Sequence, residues 1–360
     1  MQAIVLVGGE GTRLRPLTYG TPKPMVPIMG VPFLARTMER LYHAGIRDVI
    51  LPAGYMPEAI TEYFGDGSQL GLRITYVIEE TPLGTAGALK NVEQHIHGPF
   101  FVLNGDVLTS LDLRAMVAEH MKKGGIGLLH LIRVEDPSAF GCVVHDADGR
   151  IGSFVEKPPR ETAPTNEINA GAYLSEREIL DMIPAGRNVS IERETFPQII
   201  ASGKGLYAYT TDDYWMDVGR PEQYLAAHAD VLAGRMPMLL EPGASGEGAG
   251  VLVGVKDVTL PVHVDADVEI DSSAHVGPNV VLGANVRIGA RARVANSVLW
   301  DRVRVEDDAV VEGSILASNA CVGAGAHIPE GGVIGHDAIV EPGAQLEPGA
   351  RLGATEPIQR

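Results

Sequence analysis

From residue 264 to residue 352 an apolar residue recurs every six positions. The first set is Val264, Ile270, Val276, Leu282, Ile288 and Val294. A five-residue step leads to Leu299, Val305 and Val311, and a second to Leu316, Val322, Ile328, Ile334, Val340, Leu346 and Leu352. Six is neither the helical period nor the two-residue period of a half-buried strand. A row of this kind is buried by winding the chain into a solenoid, with three short strands per coil of about eighteen residues. Sixteen anchors therefore imply about five coils. Glycine follows the anchor at 277, 283, 289, 323, 335 and 353, where the chain must turn tightly.

The first 235 residues have a different rhythm. Ile4 to Val7 reads as a strand, 33–44 as a helix through Leu34, Met38 and Leu41, and Val49 to Leu51 as a strand. A short helix over 57–64, a strand at 74–78, a helix over 85–96 and a strand at 100–103 follow. This βαβα order predicts an α/β domain with a mostly parallel sheet covered by helices. Ligands on such sheets sit beyond the carboxyl ends of the strands. Residues 236–260 break the pattern, and the Pro/Gly-rich 241–248 has the composition of a linker. The expected organisation is thus a domain over 1–235, a linker over 236–260 and the solenoid over 261–360.

Composition excludes several classes. At 45% apolar and 21% charged residues the 360-residue chain is neither disordered nor a membrane protein by composition. No run approaches the roughly 18 apolar residues of a membrane span. The N-terminus runs from Met1 straight into a glycine loop without a basic flank, unlike a signal peptide. The net charge of −17 argues against nucleic acid or an anionic membrane as partner. Two distant cysteines, Cys142 and Cys321, build no disulfide framework or cysteine-rich metal site, and a cytoplasmic location is expected. The eleven histidines show no metal-ligand spacing and read as surface residues.

The string Gly8-Gly9-Glu10-Gly11-Thr12-Arg13-Leu14-Arg15-Pro16-Leu17-Thr18 directly follows the first strand, and Pro22-Lys23-Pro24 follows it. Glycines let backbone N–H groups close around phosphate oxygens, and Arg13 and Lys23 add positive charge. It is not the dinucleotide fingerprint, because Leu14 stands where the third glycine would be, nor a Walker loop. Other candidate stations are Asn104-Gly105-Asp106 after a strand, Trp215-Met216-Asp217, Pro82-Leu83-Gly84-Thr85 preceded by Glu79 and Glu80, and Glu156-Lys157-Pro158. Asn169-Ala170-Gly171 and Gly141 complete the set.

These motifs resemble the sugar nucleotidyltransferases, whose signature is Gly-Gly-x-Gly-Thr-Arg-Leu-x-Pro-Leu-Thr followed by Pro-Lys-Pro. The resemblance spans essentially the whole chain, because many members end in a left-handed β-helix of hexapeptide repeats. Within the family it is to the bacterial mannose-1-phosphate guanylyltransferases. It implies a Rossmann-like nucleotidyltransferase domain and the synthesis of GDP-mannose, or a related GDP-hexose, with release of pyrophosphate from GTP and hexose 1-phosphate. It implies that Arg13, Lys23 and Lys157 are catalytic. Leu6, Gly8, Gly9, Gly11, Thr12, Glu79, Glu80, Pro82, Gly84 and Thr85 would bind the nucleotide. Gly141, Glu156, Lys157 and Asn169 would bind the sugar phosphate, and Asp106 and Asp217 would hold Mg²⁺. A homo-oligomer is expected.

Residue chemistry leaves dTTP, ATP or UTP as alternative nucleotides, and glucose 1-phosphate or a cyclitol phosphate as alternative acceptors. A non-catalytic sugar-nucleotide sensor would be expected to lose loop or metal residues, whereas all are present. An acyltransferase working through the repeat would need a protruding loop, for which the anchors leave little room. Because every motif lies before residue 220, the repeat is expected to serve assembly or regulation, and a chain ending near 235 to keep turning over.

Overall fold

The computed structural model describes residues 1–236 and 249–354; the linker stretch 241–248 lies outside them. The chain forms two compact units, and neither is continuous in sequence. One joins Met1–Gly9 to Thr37–Trp215, the other Glu10–Arg36 to Met216–Arg360.

The first unit is built on a nine-stranded sheet. Its strands are β1 (Gln2–Leu6), β2 (Asp48–Ala53), β3 (Arg73–Ile78), β4 (Phe100–Asn104), β5 (Gly127–Arg133), β6 (Gly141–His145), β7 (Ile151–Glu156), β8 (Glu167–Ser175) and β9 (Leu206–Thr210). The path runs β7-β6-β8-β4-β1-β2-β3, with β5 pairing both β8 and β9. β3, β2, β1 and β4 are parallel neighbours, as expected from the βαβα order. β8 runs antiparallel to β4, β5 and β6. The helices are α1 (Phe33–His43), α2 (Pro57–Phe64), α3 (Gly84–Asn91), α4 (Leu113–Lys123) and α5 (Phe196–Ala201). α3 is shorter than the predicted 85–96; it gives way to a 3₁₀ turn at Glu93–His95. Ile4, Ile50, Phe100, Val102, Leu129, Leu131 and Tyr173 pack with Leu89, Phe196 and Ile199 into one buried cluster. By the usual area rule each such side chain contributes roughly 1.5–3 kcal/mol.

In the second unit the sixfold row becomes three parallel stacks of five, six and five two- or three-residue strands, consistent with a left-handed β-helix of about five coils. Of the sixteen anchors only Leu346 lies outside a strand. The row is buried, with Val264, Val276, Leu282, Leu299, Val305, Leu316, Val322 and Ile334 in one core. Three residues past most anchors the backbone is left-handed, at Asp267, Asn279, Asn285, Arg291, Arg302, Asp308, Asn319 and Asp337 and at Gly325, Gly331, Gly343 and Gly349. The preference for Asn, Asp and Gly at these corners is the steric one expected at positive φ. The two five-residue steps each remove one residue from a corner, so Asn296 and Gly313 turn two residues past the anchor. Both steps are followed by a buried serine, and Ser314 N donates to Ser297 Oγ at 3.0 Å.

One stack departs from the inward-apolar, outward-polar rule. Val281, Val298, Ile315 and Val333 sit beside inward-facing anchors yet are all buried. On this face the Glu10–Arg36 segment and helix α6 (Pro221–Leu232) are attached. Trp300 Nε1 donates to Tyr224 Oη at 3.0 Å, and Tyr224 Oη donates to the Pro27 carbonyl at 2.5 Å. Met29 N donates to His228 Nε2 at 3.2 Å. Arg351, on the last strand, donates through Nη1 to the carbonyls of Arg13 and Arg15 at 3.1 and 2.9 Å. The segment Glu10–Arg36, which carries Arg13 and Lys23, is therefore part of the unit that contains the repeat. The repeat, expected to serve assembly or regulation, thus shares a compact unit with these two cations. The reason is the second apolar row, which needs a cover.

The reading of the histidines as surface residues is corrected. His130, His228, His120 and His263 are buried. His228 is held neutral by desolvation, its pKa lowered to about 4, and spends both ring nitrogens on backbone partners.

Candidate active site

In the first unit the candidate residues gather at the carboxyl ends of the central strands. Leu6 ends β1 and is followed by the exposed Gly8 and Gly9. The neighbouring β4 ends at Asn104 and turns through Gly105 to Asp106, which is half-buried. Gly105 N donates to the Leu6 carbonyl at 2.9 Å, and a Cβ there would lie 2.7 Å from that oxygen. Only glycine lets this turn lie against β1, and that contact fixes where Asp106 emerges.

β8 carries Asn169 at a bulge, where pairing with β5 breaks between Asn169 and Tyr173. Bulges re-aim side chains next to active sites. Gly171 takes φ of 76° there, and a Cβ would strike Asn104 Nδ2 at 2.6 Å. Asn169 Oδ1 accepts from Gly171 N at 3.0 Å, and its Nδ2 donates to Tyr173 Oη at 2.7 Å. Gly141 pairs with Glu156 across β6 and β7, and a Cβ on it would meet Glu156 Oε2 at 2.8 Å. Glu156 is largely buried, while Lys157 is exposed with its ammonium 3.5 Å from Glu156 Oε1. Lys157 has φ of 50°, an unfavourable conformation for a side-chain-bearing residue, and its N–H is tied to the Phe140 carbonyl.

Glu79 follows β3 and is half-buried; burial pushes its carboxyl pKa up, partly offset by the Leu83 N–H it accepts. Glu80 is exposed. Pro82, Gly84 and Thr85 lead into α3. Gly84 has φ of 70°, and a Cβ would sit 2.7 Å from the Val189 carbonyl. Thr85 is the second residue of α3. Its Oγ1 accepts from Ile191 N at 2.8 Å and donates to Glu192 Oε2 at 3.0 Å. Glu192 is a residue that sequence reasoning missed. It lies in no recognised motif, and only the fold brings it to Thr85.

In the second unit Gly11, with φ of 60°, opens a 3₁₀ turn at Thr12–Leu14. A Cβ on Gly11 would lie 3.0 Å from Lys23 Cβ and from Thr18 Cγ2. Thr18 Oγ1 donates back to the Gly11 carbonyl at 2.9 Å. Pro22 sets the entry to the turn at Lys23–Met25. Lys23 Nζ lies 4.0 Å from Asp217 Oδ1, with both side chains largely buried. Gly219 leaves room for Arg13, whose Nη2 would be 3.0 Å from a Cβ there. Arg13, Lys23 and Asp217 are thus brought together within this unit. Arg351, which braces the Arg13 carbonyl, was also missed; it reads as one more outward charge on a repeat strand.

Among the described residues no group of three or more His, Cys, Asp or Glu could hold a metal by itself. The candidate donors, Asp106 and Asp217, are hard carboxylates and both are partly exposed. Carboxylates of this kind suit a cation that keeps its waters and takes phosphate oxygens, and neither unit offers a closed protein cage among its described residues. No helix among the described residues is long and apolar enough to cross a membrane.

The nucleotidyl transferase family model matches residues 2–234, and the GMPPB C-terminal domain model matches residues 258–352. The chain is 47% identical over 249 residues to the mannose-1-phosphate guanylyltransferase of Mycobacterium tuberculosis, covering 69% of each protein. It is 39% identical over 254 residues to the mannose-1-phosphate guanyltransferase of Saccharomyces cerevisiae, covering 68% of this chain and 69% of the relative. Among solved structures it is similar to HddC from Yersinia pseudotuberculosis complexed with GMP-PN. That match has 32% identity and a TM-score of 0.55, over 63% of this chain and 97% of that one. With the family model covering well over half its length, the glycine-loop protein described above belongs to the nucleotidyl transferase family.

Proposed function

We propose that this protein makes GDP-mannose, or a related GDP-hexose, and pyrophosphate from GTP and hexose 1-phosphate in the cytoplasm, as a homo-oligomer. The observation that carries the reading is the loop 8–15 with Lys23. Gly9 and Gly11 take positive φ, and the cations Arg13 and Lys23 are held in one compact unit. The mycobacterial relative named for this activity supports the choice of substrates.

The attacking group is a phosphate oxygen of the hexose 1-phosphate, mostly ionised at pH 7 because its second pKa is about 6. No general base is needed, so catalysis is positioning and charge neutralisation at the α-phosphorus. Backbone N–H groups of the glycine loop hold the triphosphate. Arg13 and Lys23 neutralise the departing pyrophosphate. Lys157 binds the sugar phosphate and offsets repulsion between two anions, while Glu156 and Asn169 take sugar hydroxyls. Asp106 and Asp217 would hold Mg²⁺, which when bound supplies charge stabilisation at the phosphates.

Guanine presents N1–H and N2–H₂ side by side, a donor pair that suits a carboxylate. Glu79 and Glu80 are the candidates beside the 81–84 stretch. Facing a carboxylate with the acceptors of another base costs about 1–3 kcal/mol. The test is pyrophosphate release over GTP, ATP, dTTP and UTP with mannose and glucose 1-phosphates. GTP should lead ATP and dTTP by roughly tenfold in kcat/KM. Replacing the contacting Glu by Gln should narrow that lead. A kcat/KM for ATP or dTTP equal to that for GTP refutes the guanylyltransferase reading.

A further inference from the structure

Residues 188–192 form the seat of the 82–87 segment. Val189 N donates to the Leu83 carbonyl at 2.9 Å, Ala86 N to the Val189 carbonyl at 2.9 Å, and Asn188 Nδ2 to the Pro82 carbonyl at 2.9 Å. The chain then makes a single π-helical turn at Ile191–Thr195, capped by Ser190, whose Oγ accepts from Arg193 N. Such wide turns occur frequently at functional sites, because they displace a side chain from the path a regular helix would give it. Glu192 is the second residue of this turn.

Its carboxylate is asymmetrically engaged. Oε2 accepts from Thr85 Oγ1 at 3.0 Å and from Ser190 Oγ at 2.7 Å. Because Thr85 Oγ1 also accepts from Ile191 N, its proton is committed to Glu192. Within the described residues Oε1 receives no hydrogen bond, and the residue is only partly buried. Two hydroxyls thus clamp one oxygen and leave the other oriented and accessible. The π-turn leads straight into Phe196, whose ring packs on Phe154 at 5.4 Å and on Tyr173 at 5.2 Å, so the turn is seated against β7 and β8, the strands that carry Glu156 and Asn169. The Tyr173 phenol is buried against Asn169, and after burial the charges of Glu192, Glu156 and Asp106 push its pKa further up. A carboxylate there repels a phosphate and accepts from an N–H or O–H donor; on the side of Glu156 and Asn169, where the sugar is proposed to lie, that donor is a hydroxyl.

Resting on the proposed reaction, we propose that Glu192 is a specificity-determining residue whose Oε1 accepts a hydrogen bond from a ring hydroxyl of the hexose. Epimers differ in where that hydroxyl points, and an unpaired buried donor or acceptor in the wrong epimer is what gives a polar site its discrimination.

The test uses the full chain with Glu192→Gln and Glu192→Ala. In the Gln variant the amide oxygen can keep the Thr85 and Ser190 hydroxyls while presenting an N–H₂ to the sugar. Steady-state kinetics and calorimetric binding are measured with mannose 1-phosphate, its 2-, 3-, 4- and 6-deoxy analogues and glucose 1-phosphate. The KM for mannose 1-phosphate should rise about tenfold or more in the Gln variant, with the KM for GTP unchanged within about twofold. One deoxy analogue that the wild type disfavours should lose its penalty in the variant. An unchanged sugar KM and deoxy pattern, or a GTP KM that rises as much as the sugar KM, overturns the assignment. If wild-type protein prefers another nucleotide with a hexose 1-phosphate, the guanylyl reading fails while the same comparison still judges Glu192. If the wild type neither binds nor turns over any hexose 1-phosphate, both fail.

Discussion

Tyr224→Phe removes one oxygen from the place where the Glu10–Arg36 segment, α6 and the repeat meet. Tyr224 is fully buried and Trp300 nearly so, at 4% exposure. The phenol oxygen donates to the Pro27 carbonyl and accepts from Trp300 Nε1. Without it the ring still fills its space, so no cavity term arises. What is lost is the bond to Pro27, about 0.5–1.5 kcal/mol net, together with the partner of a buried indole N–H, about 1–3 kcal/mol. The variant should lose roughly 2–4 kcal/mol from the second unit. Urea unfolding is followed by tryptophan fluorescence in a Trp215→Phe background, so that Trp300 alone reports. The midpoint should fall with the slope unchanged. An unfolding free energy within about 0.5 kcal/mol of the Tyr224 protein would show that the Trp300 N–H finds another partner and that this junction is not held by the phenol.

A chain ending at residue 235 should lose activity and stability, because Arg351, Trp300 and the buried outward row all leave with the repeat; full turnover by a soluble truncation would refute the bracing role. Asp106→Asn should lower kcat by orders of magnitude with the fold intact, since it removes a carboxylate charge proposed for the metal; near-normal kcat at saturating Mg²⁺ would remove Asp106 from that role. His130 and His228 both have folded pKa values depressed to about 4 by desolvation. The unfolded chain therefore takes up these protons first as pH falls, so their contribution is complete above about pH 6.5 and is lost between there and about pH 4. Unfolding free energies measured from pH 8 to pH 4.5 should decline through that window, and His228→Asn should flatten the decline; an unchanged slope would show that His228 is not the titrating group.

The parallel core was legible because β1 to β4 and their helices are short apolar runs with clear periods, and the anchors because a sixfold period has few competing explanations. The attachment of the signature segment to the repeat was written in the sequence at a second period. Val281, Val298, Ile315 and Val333 are seventeen, seventeen and eighteen residues apart, each just before an anchor. On another stack the equivalent positions include Glu269, Arg287 and Arg304, the outward charges expected of an exposed face. Reading one row hid the other. Glu192 was illegible for a different reason. Its role depends on a π-turn and on two hydroxyls, one of them 107 residues away in the chain, and neither local propensity nor spacing encodes that meeting. Conversely Gly84, Gly105 and Gly171 look like ordinary turn glycines until the backbone and side-chain atoms that a Cβ would strike are seen.

The joining of Glu10–Arg36 to coils that end at Leu352 also sets an order of events during synthesis. At roughly 5–20 residues per second, the segment bearing Arg13 and Lys23 leaves the ribosome on the order of 15–60 s before Arg351 has been made. A nascent chain thus carries Arg13 and Lys23 without the Arg351 contacts for most of its translation. Ribosome-stalled chains ending before residue 351 should be cut by protease within 10–36, and completed chains protected there. Protection already present in the shorter chains would mean that the loop sets without the last coil. The last strand thus adds the Arg351 bonds to a segment that Tyr224 and His228 already hold, so the earliest-made part of the unit receives its final contacts last.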